Sequence, residues 1–400
     1  RTYGEQAEGE YQRRLFVNDT AKGFAFVELC RQRYDIALMN PPFGEAAIST
    51  RSYIGKVYPE SKDDVYAAFV VRCTQLTPKG ILGVISNRTG FFLTGMRRWR
   101  ESSLFSSRSL SLLADLGDGV LDDALVEAAA YTIGHTNAPC VAFRLLDQDD
   151  KSAPLLHATQ DLSHGKSSRL TFVNSIDSFS VFPESRVSYW APTRVREIFH
   201  SFEGASANGL DVKFGLSTKD DLRFLRLCWE VDASKIVSAQ ENANPQHPWM
   251  FLAKGGEYSL HYGDIHLVAN WADCGNEMAA RVIQRYPYLN GDANWVLHTE
   301  VPYGRPGVTY TKRTTSGFSP RLLPPGCLIS DKGCTIFAVE DRFIPLVLAT
   351  YSARAFGYLL EFSVASGDSV RSGSAARDYE IGTVASVPVP KIASISSKAG

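Results

Sequence analysis

An α/β first domain followed by an α+β second domain is the fold that three observations predict. Short apolar runs alternate with segments of helical spacing up to about residue 146. That alternation is the signature of a mostly parallel sheet with helices on its faces. From Asp147 to Ser168 the chain turns polar and loses any period, and beyond it come short strands, many aromatics and frequent Gly and Pro. At 400 residues, two domains are the natural expectation. The expected boundaries are a first domain over 1–150, a linker or surface excursion over 151–185, a second domain over 186–390 and a polar tail over 391–400.

The elements follow in order. Tyr34–Met39 is a short apolar run without alternation, as expected of a strand covered on both faces. Lys62–Thr77 places Val65, Ala68, Phe69, Val70 and Cys73 on one side of a helix, with Asp63 and Asp64 at the end where acidic caps belong. Pro78-Lys79-Gly80 stops it. Ile81–Ser86 and Leu110–Leu116 read as further buried strands, with a helical stretch around Met96–Leu104 between them. Ala128–Ile133 and Cys140–Leu146 close the set. The tryptophans from Trp190 to Trp295 read as core.

Composition narrows the class. Apolar residues make up 44% and charged residues 21%, with a formal net charge of −1. No apolar run approaches the length of a membrane span, so no membrane association is expected. The seven cysteines form no CxxC pair and no ligand cluster, so no metal site is expected, and reduced thiols point to the cytoplasm. Charge is uneven locally: Arg97–Arg108 and Arg305–Lys332 lean basic. The first residue is Arg, which suggests a piece of a longer protein.

The stretch with chemistry is YDIALMNPPFG, Tyr34–Gly44. In open parallel sheets, ligands bind beyond the carboxyl ends of the strands, and Asn40-Pro41-Pro42-Phe43 stands at such an end. Two prolines fix φ and remove two N–H donors, and Pro41 drives Asn40 out of the helical region. The result is a stiff shelf offering the Asn40 side-chain oxygen, the Pro41 carbonyl and the Phe43 ring. Two acceptors and a stacking ring suit a planar exocyclic amine. Hydrogen bonds to both of its N–H groups favour a pyramidal, more nucleophilic nitrogen. What remains is alignment with an activated methyl group, which is catalysis by proximity.

The same stretch resembles motif IV of the amino-methyltransferases that act on adenine N6 in DNA. The resemblance continues, in order, through KDDVYAAFVVRC, PKGILGVIS, RTGFFLTGMRRWRE and LADLGDGVLDDALVEAAAYTIG. In the second half it includes GLSTKDDLRFLRLCWEV, KGGEYSLHYGDIHLVANW, RPGVTYTKRTTSGFSPRLLPPG and SDKGCTIFA. Together these resemble the PglX methyltransferases of BREX phage defence and related type IIG restriction–modification enzymes.

The resemblance implies a Rossmann-like domain that uses S-adenosylmethionine, followed by a target-recognition domain that binds double-stranded DNA. It also implies association with other phage-defence or restriction subunits. Asn40, Pro41, Pro42 and Phe43 would form the catalytic motif, with Asn40 also near the cofactor. Asp19 would contact the cofactor adenine, unless Asn18-Asp19 is a turn or caps a helix over Ala21–Arg31. Lys312, Arg313 and Arg321 would face DNA, as would Arg97 and Arg98 unless those two lie on an amphipathic surface helix.

One departure is clear. The family's Gly-rich loop after the first strand has no counterpart in Arg1–Asn18, so the chain reads as N-terminally truncated and its domain as partial. The alternatives are a methyltransferase acting on an RNA base or a protein glutamine, and a DNA-binding fragment without catalysis.

Overall fold

The computed structural model describes residues 20–106, 109–121, 126–135, 138–237, 243–364 and 377–392. The chain divides into two compact units, the first comprising 1–180 and 184–190 and the second 181–183 and 191–400.

The first unit is built on six strands: β1 Ile36–Met39, β2 Ile81–Asn87, β3 Ser109–Gly117, β4 Ala128–Gly134, β5 Cys140–Arg144 and β6 Thr171–Asn174. Their order in the sheet is β1-β2-β4-β3-β5-β6. The sheet is more mixed than the sequence pattern suggests. β1 pairs parallel with β2, and β3 parallel with β5, but β4 is inserted antiparallel between β2 and β3, and β6 is antiparallel to β5. β1, β2, β3 and β5 therefore end on one edge. Sequence distance explains the surprise: only ten residues separate the end of β3 from the start of β4, fewer than the crossover that a parallel return requires.

Four helices are labelled in this unit: α1 Ile48–Val57, α2 Val65–Leu76, α3 Arg97–Ser103 and α4 Ser152–Ser163. α2 buries Tyr66, Ala67, Ala68 and Val70. Tyr66, Ala67 and Val70 join Leu82, Val84, Phe91, Trp99, Leu113 and Tyr131 in one core. Each large side chain there contributes about 1.5–3 kcal/mol through removal from water.

Two expectations need correction. The stretch 151–185 is not a linker: it contains α4 and β6, and β6 extends the sheet beside β5. α4 buries only Ala158 fully, with Leu155 partly covered by Leu116 and Leu145, which leaves too narrow an apolar stripe to show as a period. β1 is not covered on both faces either. Ile36 and Leu38 are 65% and 81% exposed, so one face of this edge strand lies open. Beside it in sequence, a helix over 20–29 exposes Phe24, Phe26 and Leu29.

The second unit contains β7 Leu210–Lys213, β8 Leu225–Leu227, β9 Trp249–Ala253, β10 Leu267–Asn270, β11 Gly307–Thr311, β12 Arg313–Thr314, β13 Arg321–Leu323, β14 Cys327–Ile329, β15 Gly333–Ala338 and β16 Arg377–Asp378. Its helices include α5 Thr193–Ser201, α6 Asn276–Arg285, α7 Ile344–Ser352, α8 Arg354–Glu361 and α9 Ile381–Ser386. One sheet runs β13-β11-β15-β7, all antiparallel. Its Val308, Tyr310 and Ile336 pack with Val347 and Tyr351 of α7, Phe356 of α8 and Val384 of α9. A second sheet runs β14-β9-β10-β8, and its Leu252, Ala269 and Leu328 pack with Met278 of α6. β14 and β15, three residues apart, belong to different sheets, so that short turn ties the two together. Trp271 is core as expected, but Trp229 and Trp295 are mostly exposed. Among the described residues no single helix is long and apolar enough to cross a membrane.

Candidate active site at the carboxyl edge of the first sheet

β1 ends at Met39, and the chain turns through Asn40-Pro41-Pro42-Phe43-Gly44. Asn40 is exposed and Pro41 buried, so one proline anchors the turn while the carboxamide beside it stays outside. The Asn40 side chain makes no hydrogen bond among the described residues. Phe43 keeps 36% of its surface open.

The turn is held from beneath by the start of α2. Gly44 N–H donates to Asp64 Oδ1 at 2.8 Å, and Val65 N–H donates to the Gly44 carbonyl at 3.0 Å. The same Asp64 oxygen accepts from Tyr66 N–H at 3.2 Å, so this carboxylate caps α2 and pins the proline turn at once. Gly44 sits at φ +108, which any side chain would strain. Burial raises the Asp64 pKa, against backbone N–H groups that lower it. Asp64→Ala is expected to lower stability by about 1–2 kcal/mol through the lost cap. It should also loosen the turn, seen as faster amide exchange at Gly44 than in Asp64→Asn.

β2 and β3 end over a buried charge network that the sequence pattern did not single out. Arg88 follows β2, and both it and Asp115 are almost fully buried. The guanidinium grips the carboxylate two-fold, Nε to Oδ1 at 2.6 Å and Nη2 to Oδ2 at 2.9 Å. Arg88 Nη1 reaches Glu127 at 2.9 Å, and Tyr189 donates its hydroxyl to Asp115 Oδ2 at 2.7 Å. Burial and the adjacent Asp115 charge push the Tyr189 phenol well above its ordinary range. One signal was present: a lone aspartate inside the apolar run LSLLADL must find a partner when the strand is buried.

The segment after β2 is fixed as firmly. A Cβ on Gly90 would lie 1.5 Å from the Tyr66 hydroxyl, so only glycine fits there. Arg100 is buried and donates to the carbonyls of Gly90, Leu93, Glu184 and Ser185. Burial and neighbouring Arg186 lower its pKa to about 9, which leaves it charged at neutral pH.

The residues expected to face DNA divide. Arg321 is a correction: it is buried, and donates to the Glu257 carbonyl and to Thr311 Oγ1, both at 2.9 Å. Its fork braces the loop after β9 through the Glu257 carbonyl. Lys312 is paired with Glu380 at 3.0 Å, whereas Arg313 is exposed, 4.0 Å from Asp378. Arg98 is exposed, and Arg97 pairs with Glu101 at 2.8 Å on the outer face of α3. Asp19 lies outside the described residues.

Comparison with known proteins adds to this geometry. Residues 4–120 match the family described as Eco57I restriction-modification methylase. The adenine-specific methyltransferase PglX of Lacticaseibacillus casei (strain Zhang) is 26% identical over 380 residues, covering 90% of this chain and 30% of that protein. The adenine-specific methyltransferase BrxX of Escherichia coli O9:H4 (strain HS) is 24% identical over 374 residues, covering 90% of this chain and 29% of that protein. The chain thus spans less than a third of the length of these relatives. Among solved structures, the type IIL restriction-modification enzyme MmeI in complex with DNA aligns with a TM-score of 0.53 at 10% identity, covering 88% of this chain and 45% of that one. The resemblance read from the quoted segments is borne out by these matches.

Proposed function

We propose that this chain is the motif and recognition portion of a DNA methyltransferase that transfers a methyl group from S-adenosylmethionine to N6 of adenine. The observation that carries the reading is the free, exposed Asn40 carboxamide on a proline-locked turn at the carboxyl end of β1. It lies inside the residues matched to a restriction-modification methylase family.

Asn40 and the Pro41 carbonyl accept the two amine hydrogens, and Phe43 stacks on the base. Adenine must leave the duplex to reach them, at a cost of a few kcal/mol. Stacking on Phe43 offsets about 1–3 kcal/mol of that. The cofactor, when bound, supplies an electrophilic methyl group. This chain's part is to hold the nitrogen still and in line. The open apolar face of β1 supports a partial Rossmann-like sheet. In this reading the missing strands, with the Gly-rich cofactor loop, come from a preceding segment of a longer protein. The second unit is read as the target-recognition domain, and double-stranded DNA and the subunits of a restriction or phage-defence system as partners.

A specific observation favours one rival. The described residues contain no Gly-rich cofactor loop, and in the rival reading the 400 residues alone bind DNA without catalysis. The test is methyl transfer from labelled cofactor to duplex DNA, with and without the upstream residues. N6-methyladenine formed only by the longer protein is the expected result. Label in cytosine, RNA or protein instead of adenine would overturn the reading.

A further inference from the structure

We infer that the second unit grips a backbone phosphate of duplex DNA in the cavity lined by Lys219, Lys254 and Lys332. The inference rests on the DNA reading above and deepens it by naming a contact.

Three loops distant in sequence converge there, backbone against backbone. Leu216 N–H donates to the Ile329 carbonyl, Asp331 N–H to the Leu216 carbonyl and Ser330 N–H to the Ala253 carbonyl, each at 3.0 Å. Glycine makes the approach possible on all three strands of the junction. A Cβ would lie 1.8 Å from the Ile329 oxygen at Gly215, and 2.4 Å from the Ala253 oxygen at Gly333. At Gly255, where φ is +88, it would lie 2.9 Å from the Lys332 oxygen. A junction this tight fixes the backbone of three lysines around one cavity of about 360 Å³, so the main chain there has little ordering left to do on binding.

The charges are not all spent internally. Lys254 pairs with Asp221, which also accepts from the Thr218 hydroxyl. Lys332 stands 3.6 Å from Asp331, over half exposed. Lys219 is exposed and makes no ion pair among the described residues. It also sits at φ +55, a left-handed conformation that costs a lysine on the order of 1–3 kcal/mol. Arg285 Nη1 holds that conformation by donating to the Lys219 carbonyl at 2.5 Å. Three lysines against two aspartates, each aspartate paired with one lysine, leave one positive charge in surplus at the cavity, that of Lys219.

The neighbouring space argues for a polymer rather than a free ion. Leu252 and Lys254 also border a groove of about 700 Å³ whose walls include Tyr258, Tyr262 and His266. A phosphate at the lysines would let the adjoining nucleotides run along those aromatic and hydroxyl groups. Phosphate contacts position a duplex without reading its sequence.

The test is Lys219→Gln with Lys332→Gln in the 400-residue chain, measured by anisotropy of a labelled duplex between about 50 and 200 mM salt. Loss of one phosphate contact should lower the slope of log affinity against log salt by about 0.9. Affinity should fall about tenfold, equally for duplexes of unrelated sequence, and Lys219→Arg with Lys332→Arg should retain it. The melting temperature, which these exposed changes should leave unaltered, controls for misfolding. An unchanged slope in the double variant, while the unaltered chain binds duplex, overturns this inference and leaves the methyltransferase reading standing. A loss confined to one DNA sequence also overturns it, because a base contact would then be at work. An unaltered chain that binds no duplex DNA overturns this inference and, with it, the reading of the second unit as the DNA-binding domain.

Discussion

Asn40→Ala, made in the protein with its upstream residues present, is expected to lower adenine methylation by on the order of 10²–10³-fold, the size of effect seen when a preorganised hydrogen-bonding group aimed at developing charge is removed. The side chain is exposed and bonds to nothing else among the described residues, so its loss should leave stability nearly unchanged. Duplex affinity should hold, because the second unit provides that in the proposed scheme. Asn40→Asp is the informative partner. A carboxylate still accepts from the amine, so part of the rate should return even though no N–H remains on the side chain. Phe43→Ala should act differently, losing about 1–3 kcal/mol of stacking. That appears first in the concentration of DNA needed rather than in the limiting rate. Undiminished methylation by Asn40→Ala would remove the turn from the mechanism.

Asp115→Ala should cost the first unit about 3–5 kcal/mol, because it leaves Arg88 buried and unpaired. The Tyr189 hydroxyl loses its acceptor in the same change. For a unit of this size the melting temperature should fall on the order of 10 °C. Glu127→Gln is the contrast. Glu127 binds the same guanidinium from a position 36% exposed, and a pair so open to water should cost about 1 kcal/mol or less. Denaturant unfolding of both variants checks the pair. Equal losses would mean that burial does not govern the network. A large loss at Asp115 with methylation intact in the surviving folded fraction would mark it as a support of the carboxyl edge and not a participant in the reaction.

Much of the first unit was legible because its signals are local. Apolar runs bounded by Pro-Lys-Gly or by Gly become strands wherever they are packed, and β1 to β5 fall within a few residues of the runs that predicted them. Asp64 behaves as the cap its position suggested. α4 was missed because it touches the core at little more than one residue. The exposure of Trp229 and Trp295 was not legible because nothing local distinguishes a tryptophan that meets a core from one that does not.

The amino-acid order alone determined the stiff corner after β1, because proline sets its own φ and that of its neighbour without help from the fold. It also determined that the carboxamide stands at the end of a strand. Only the tertiary structure decided which charges are spent inside. Arg321 and Arg100 look like Arg313 and Arg98 in the sequence, yet two are buried against carbonyls and two face water. It alone paired Arg88 with Asp115, twenty-seven positions away, and gathered three lysines from distant loops around one cavity. Backbone stiffness is a property of neighbouring residues, whereas the fate of a charge depends on what the folded chain places beside it and on how much water is left there.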